Sequence, residues 1–296
     1  MIHVIWTDVG PRDGLQNIND AIATSSKIQL VRGLLEAGAP RVEAGAFVSP
    51  KWVPQMADGA EVIAALSDAE RGRIRALIPN KKGLERAVDA GVSRVLFTIA
   101  ATETFNQRNV NQTIAESLSA LDEITGVGVD VDVALSVAFG CPFEGHVGRD
   151  KVIGLCDELA KRGVAEIGIA DTIGVATPAD VRELCTAVAQ NIELQKLSLH
   201  VHDTRGLGVA NVLTAFEVGI VNFDGSVGGL GGCPFAPRST GNVCSEDALA
   251  ALHSMGAQID ADLGAYCAVA EQLAADLGHD LPGKLYRAGI WSGNAT

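Results

Sequence analysis

The sequence predicts an α/β fold closed into a (β/α)8 barrel with additional C-terminal helices, and three observations carry that expectation. Short β-branched runs alternate with longer alanine- and leucine-rich stretches eight times. A glycine turn recurs between the end of a helical stretch and the next strand, at Ala37-Gly38-Ala39, Ala90-Gly91-Val92, Arg162-Gly163-Val164 and Val218-Gly219-Ile220. The length of 296 residues accommodates one barrel of roughly 250 residues and a short extension. A doubly wound open sheet usually has fewer strands, so eight consecutive units favour closure into a TIM barrel.

The expected strands are 3–8, 41–47, 73–79, 92–100, 130–139, 166–171, 197–203 and 221–227. Helical stretches are expected near 25–38, 57–69, 80–90, 112–125, 149–163, 178–190, 207–219 and 245–255. Thr177-Pro178 opens one of them with a cap and a first-turn proline, and Gly38, Gly91, Gly163 and Gly219 follow the last apolar position of four others. The catalytic barrel is thus expected over 1–256. Residues 257–296 read as a helical extension packed on it, shaping an entrance or an oligomer contact.

A hydrophobic fraction of 47% with 20% charged residues supports a large core. The net charge of −13 argues against nucleic acid or an anionic membrane as a partner. No run approaches the ~18 apolar residues of a membrane span, and the N-terminus lacks the pattern of a signal or transit peptide. Six cysteines without a CxxC pair suit a reducing cytoplasm.

In a barrel of this kind chemistry belongs at the C-terminal ends of the strands, which filters the unusual polar residues. His200 and His202 end the seventh strand at a spacing that points both imidazoles to one face. They read either as metal ligands or as hydrogen-bonded histidines lining a polar mouth. Asp13 follows the first strand and can face the same cavity, although Arg-Asp-Gly is also good turn chemistry. Asn242 closes the loop 228–242 and reads alone as a loop or helix-capping residue. Cys233 lies in that loop among Gly228, Gly229, Gly231 and Gly232, which permit sharp bends and close substrate approach.

Together these features become specific. VGPRDGLQN at 9–17, VEAGAFVSPKWVPQMAD at 42–58, GCPFEG at 140–145, DTIGVATP at 171–178, HVHDTRG at 200–206 and GLGGCPFAPRSTGNVCSED at 229–247 resemble the 3-hydroxy-3-methylglutaryl-CoA lyases, in the same order along the chain. These enzymes belong with the barrel synthases of the isopropylmalate and homocitrate type. The resemblance implies that Asp13, His200, His202 and Asn242 ligate a divalent metal. A donor set of oxygen and imidazole suits Mg²⁺ or Mn²⁺, with Zn²⁺ less well matched. It further implies a metal-assisted retro-Claisen cleavage of an acyl-CoA to acetyl-CoA and a keto acid. Arg12 would stabilise the enolate, Asp171 or a water on the metal would take the hydroxyl proton, and Cys233 would protonate the enolate carbon. Glu43 would act behind the ligands and Gln16 beside the substrate. Lys51, Arg108 and Asn109 are candidates for CoA contacts, with solvated surface charge as the other reading. A homodimer and a role in leucine degradation are implied in the same way.

Two departures bear on the substrate. Gly45-Ala46 stands where the family usually shows Thr-Ser, and Arg205 replaces a residue that is usually aromatic. Both point to an acyl portion different from 3-hydroxy-3-methylglutaryl, either longer, branched or otherwise altered. The rival readings are a condensing synthase of the isopropylmalate or homocitrate type, which usually lacks the GLGGCPFAP loop, and a binding protein that kept the barrel without turnover.

Overall fold

The structure, a computed structural model, describes residues 1–18, 20–232 and 241–291. Eight parallel strands close a barrel: β1 (Ile5–Asp8), β2 (Arg41–Ala46), β3 (Ile74–Leu77), β4 (Arg94–Ala100), β5 (Asp130–Ser136), β8 (Glu166–Asp171), β9 (Leu197–Val201) and β10 (Asn222–Gly225). Each pairs with the next, and β10 returns to β1 with Ile5 opposite Asn222 and Asp8 opposite Gly225. All eight expected strands are present, each within the predicted range and most of them shorter. Between β5 and β8 lies a short antiparallel hairpin, β6 (Gly140–Cys141) with β7 (Gly145–His146), just beyond the expected strand 130–139 and not itself predicted.

The helices cover the outside of the barrel, beginning with α1 (Thr24–Glu36). The predicted helix over 57–69 is two, α2 (Gly59–Ala64) and α3 (Asp68–Arg71). Ser67 restarts the chain with a reciprocal capping box: its hydroxyl accepts from the Glu70 N–H, and the Glu70 carboxylate accepts from the Ser67 N–H. α4 is Lys81–Asp89. An unexpected helix, α5 (Glu103–Val110), precedes α6 (Ile114–Asp122). Its polar sequence has no apolar stripe. Asn106 anchors it by accepting from Ala100 N at 2.9 Å and donating to Gln112 O and Ser117 Oγ. The helices α7 (Arg149–Lys161), α8 (Pro178–Val188), α9 (Gly208–Val218) and α10 (Ser245–Ser254) lie where the sequence places them.

After the barrel, α11 (Leu263–Leu277) packs against α1 and α10, and α12 (Leu285–Ala288) follows. Tyr266, Ala270, Leu273, Leu281 and Tyr286 join the same apolar core as the barrel residues. No helix among the described residues is long and apolar enough to cross a membrane. The five described cysteines, Cys141, Cys156, Cys185, Cys244 and Cys267, are free and buried.

Two buried carboxylates hold the last barrel unit, Asp8 by tying it to the first and Glu246 by bracing it internally. Asp8 accepts from Gly10 N at 2.9 Å and from the Ser245 hydroxyl at 2.6 Å, while the Trp6 indole donates to Ser245 Oγ at 3.0 Å. Glu246 accepts the Gly228 N–H on both oxygens, at 3.0 and 3.1 Å, and so holds the base of the loop that leaves β10. Burial pushes the Glu246 carboxyl up to about 7, reinforced by the neighbouring Asp8 and opposed by its N–H bonds. A folded-state pKa raised above the unfolded value stabilises the fold at low pH, and that stability is lost as pH rises through the folded pKa. We therefore expect Glu246→Gln, which mimics the protonated acid, to match wild type near pH 5. By pH 8 it should be more stable than wild type by about 1–3 kcal/mol. Urea unfolding at the two pH values checks this, and a stability difference that does not change between them would contradict it.

Candidate active site

The site is built where β1 ends. Residues Gly10–Gly14 wind into one wide turn in which Val9 O accepts from the N–H groups of Arg12, Asp13 and Gly14. Gly10 is required there, because a Cβ would meet Asp8 Oδ1 at 2.8 Å and Val227 Cγ1 at 2.9 Å. Pro11 fixes φ at the second position of the turn. The turn carries Arg12 and Asp13 together over the mouth of the barrel, both buried.

Arg12 bridges two carboxylates. Its Nη1 donates to Asp13 Oδ1 at 2.6 Å and its Nε to Glu43 Oε1 at the middle of β2. Asp13 also accepts from the Gln16 amide at 3.3 Å and, on its other oxygen, from Asn242 Nδ2 at 2.8 Å. Burial alone would raise the Asp13 pKa. Arg12, His200, His202 and the Asn242 amide outweigh it and hold the carboxyl below its usual range.

His200 lies on β9 and His202 directly after it, with ring centroids 5.3 Å apart. The donor atoms of Asp13, His200 and His202 all fall within 4.8 Å of one another. Burial and the adjacent His200 push His202 down to about 4, so its imidazole is neutral with a lone pair to offer. His200 is raised despite burial, because Asp224 faces its Nδ1 at 3.4 Å and Asp13 is close. Two buried atoms at this point, His202 Nδ1 and Asn242 Oδ1, have no hydrogen-bond partner among the described residues. A carboxylate, two imidazoles and an unpartnered amide oxygen form a donor set that fits a divalent cation. Among the described residues, a purely hydrogen-bonded histidine pair leaves those two atoms without a partner.

The other expected residues are distributed around this centre. Asp171 ends β8, buried, and both its oxygens accept backbone N–H groups of the following loop, from Val175 and Ala176 at 2.9 Å each. Burial raises its pKa, and those two bonds oppose the rise. Ala46 is buried at the end of β2. Arg205 is exposed, and its Nη1 donates to the carbonyls of Ile173 and Gly174 at 3.0 and 2.7 Å. It therefore fastens the β8 loop. Lys51 is exposed on the loop after β2, and Arg108 and Asn109 are exposed on α5, which follows β4. The Lys51 ammonium lies 5.8 Å from the Trp52 ring, and the Arg108 guanidinium lies 4.0 Å from that of Phe143. Cys233 lies outside the described residues. Asp224 on β10 and Arg75 on β3, absent from the sequence reading, stand directly behind His200 and Glu43. Their one local signal is a charged residue inside an otherwise apolar strand run.

Residues 3–273 match the HMGL-like family. The (R)-citramalyl-CoA lyase of Chloroflexus aurantiacus is 41% identical, over 97% of this chain and 95% of its own. The 3-hydroxy-3-isohexenylglutaryl-CoA/hydroxymethylglutaryl-CoA lyase of Pseudomonas aeruginosa is 42% identical over 92% of each chain. Among solved structures, an HMG-CoA lyase from Acinetobacter baumannii, in complex with coenzyme A and 3-methylmalate, superposes with a TM-score of 0.93. It is 38% identical, with 99% of this chain and 97% of that one covered. With its barrel and its relatives in agreement, the chain belongs to the HMGL-like family and is a lyase of that type.

Proposed function

We propose that this protein is a Mg²⁺- or Mn²⁺-dependent lyase that cleaves 3-hydroxy-3-methylglutaryl-CoA or a related 3-hydroxyacyl-CoA to acetyl-CoA and a keto acid. The observation that carries this reading is the carboxylate–imidazole cluster of Asp13, His200 and His202 with Arg12 locked beside it. Asn242 would be the fourth protein ligand. A divalent cation bound by these residues would supply Lewis acidity toward the oxygens of the substrate and lower the pKa of its hydroxyl.

The chain's own groups account for the rest of the reaction. Asp171, whose burial raises its proton affinity, is the candidate to take the hydroxyl proton. As that proton leaves, the C2–C3 bond breaks, the hydroxyl carbon becomes the ketone of the keto acid, and the electron pair moves into the thioester as an enolate. Arg12 is already oriented by Asp13 and Glu43, so it can meet the developing enolate charge without rearrangement. Cys233 gives its thiol proton to the enolate carbon, completing acetyl-CoA, and regains a proton from solvent. Gln16 lies beside Asp13, where it can orient substrate. Lys51, Arg108 and Asn109 on the rim are the candidates to meet the CoA arm.

The acyl group is the part of the assignment that Ala46 alters. A serine there would present a hydroxyl at the end of β2, and its absence removes one hydrogen bond of about 0.5–1.5 kcal/mol from the pocket, or about 1.5–3 kcal/mol if the bond is to a charged group. With Arg205 occupied by loop carbonyls, Ala46 is the stronger ground for an altered acyl group. A citramalyl-CoA lyase among the relatives favours the same reading.

Three outcomes follow. In a panel of 3-hydroxyacyl-CoA thioesters assayed for acetyl-CoA release, at least one carboxylate-bearing member should turn over at ~1 s⁻¹ or faster. Turnover in the condensing direction alone, from acetyl-CoA and a 2-oxoacid, would refute the lyase assignment. Chelation should remove activity, with recovery on adding Mg²⁺ or Mn²⁺, and activity that survives exhaustive chelation would refute the metal dependence. Cys233→Ala should lower kcat by about 10²–10⁴-fold with little change in KM, as expected for loss of a general acid. A variant within threefold of wild type in kcat would take Cys233 out of the reaction.

A further inference from the structure

The interior of the barrel holds a column of charge that the reaction itself does not use. Arg75 on β3 is 1% exposed, and its guanidinium reaches carboxylates from four other strands. Nε donates to Glu43 Oε2 on β2 at 2.9 Å and Nη2 to Asp224 Oδ2 on β10 at 2.9 Å. Asp132 on β5 and Glu166 on β8 lie farther away, at 3.6 and 3.9 Å from Nη1. At the N-terminal ends of the strands, Arg94 grips both oxygens of Asp132 at 2.8 Å, and Arg41 meets Glu166 at 3.1 Å.

The two short contacts of Arg75 lead to different halves of the site. The second oxygen of Glu43 accepts from Arg12 Nε, while Asp224 faces Nδ1 of His200. A carboxylate at Nδ1 fixes the orientation and tautomer of a histidine whose other nitrogen serves as a ligand. One buried guanidinium therefore sits between the carboxylate that aims the arginine and the carboxylate that aims the histidine. Remove it, and Glu43 and Asp224, which converge on its Nη2 from the two strands flanking β1, lose the cation between them and with it the restraint on their positions.

We propose that Arg75 is a positioning residue for the lyase reaction. By bridging Glu43 and Asp224 it fixes the Arg12 guanidinium and the His200 imidazole relative to one another. This rests on the roles assigned above to Arg12 and His200. Arg94 separates positioning from mere stability, since it also pairs with barrel carboxylates but has no hydrogen bond or ion pair with Glu43 or Asp224.

The test compares Arg75→Met, Arg75→Lys and Arg94→Met with wild type. It reads the Mn²⁺ dissociation constant from the electron paramagnetic resonance of free Mn²⁺, together with kcat, KM and Tm. Arg75→Met should bind Mn²⁺ about tenfold more weakly and lose about 100-fold or more in kcat, with KM within about threefold. Arg75→Lys should recover part of both losses. Arg94→Met should lose a similar amount of Tm while keeping Mn²⁺ affinity and kcat within threefold. A folded Arg75→Met with Mn²⁺ affinity and kcat near wild type overturns the proposal, as does an Arg94→Met that shows the same losses. If Arg75→Met does not fold, Asp224→Asn takes its place: it preserves shape and should weaken Mn²⁺ about tenfold, and unchanged affinity would overturn the proposal. The Mn²⁺ titration needs no thioester, so a wild-type protein that binds Mn²⁺ without cleaving any acyl-CoA would refute the assigned reaction and not the Arg75 bridge.

Discussion

The contact between Arg75 and the pair Glu43 and Asp224 is the constraint on which the rest of the site depends. Most barrels of this class fill the interior with branched aliphatic side chains in layers. Here the strands turn Glu43, Arg75, Asp132, Glu166 and Asp224 inward, all nearly or fully buried. Moving such charges out of water costs several kcal/mol per ion, so each must meet a counter-charge at short range. That requirement restricts how the strands pack around one another. An ionic core tolerates much less displacement than an aliphatic one, because separating an ion pair in a low-dielectric interior is costlier than loosening van der Waals contacts.

That rigidity has a direct use at the barrel mouth. Arg12 and Asp13 sit on a turn of five residues that by itself offers little to hold two charged side chains in place. Glu43 supplies the restraint on one side, Asn242 on the other, and Asp224 does the same for His200. Each carboxylate near the mouth is thus shared between a role facing the cavity and a role facing the column. Five carboxylates (Asp13, Glu43, Asp132, Glu166 and Asp224) stand against four arginines (Arg12, Arg41, Arg75 and Arg94) in these contacts. The excess is negative and favours a bound cation.

Much of this was legible in the sequence. The eight strands could be read because alternation and glycine turns are local signals, and His200 with His202 because a spacing of two is local as well. What escaped was held by interactions with no local signature. The helix α5 rests on the Asn106 side chain and not on an apolar stripe, and α3 depends on Ser67 inside what reads as one continuous helix. Arg75 and Asp224 are 149 positions apart, and no spacing rule connects them. Arg205 was legible as an unusual cation but not as a fastener for the β8 loop, because its partners are backbone carbonyls that any sequence would offer.

The hydrogen bond between Asn242 and Asp13 joins positions 229 residues apart. It closes the site between the end of the first strand and the loop that follows the last. A growing or partly folded chain that lacks its final βα unit has Asp13 but no Asn242, and its Asp224 has not yet come up behind His200. Such a chain has no assembled donor set. A cation held by these residues would find its full donor set in the closed form alone, and would shift the folding equilibrium toward completion by mass action. The same amide-to-carboxylate bond that completes the cluster at the barrel mouth is thus also a stitch between the two ends of the barrel.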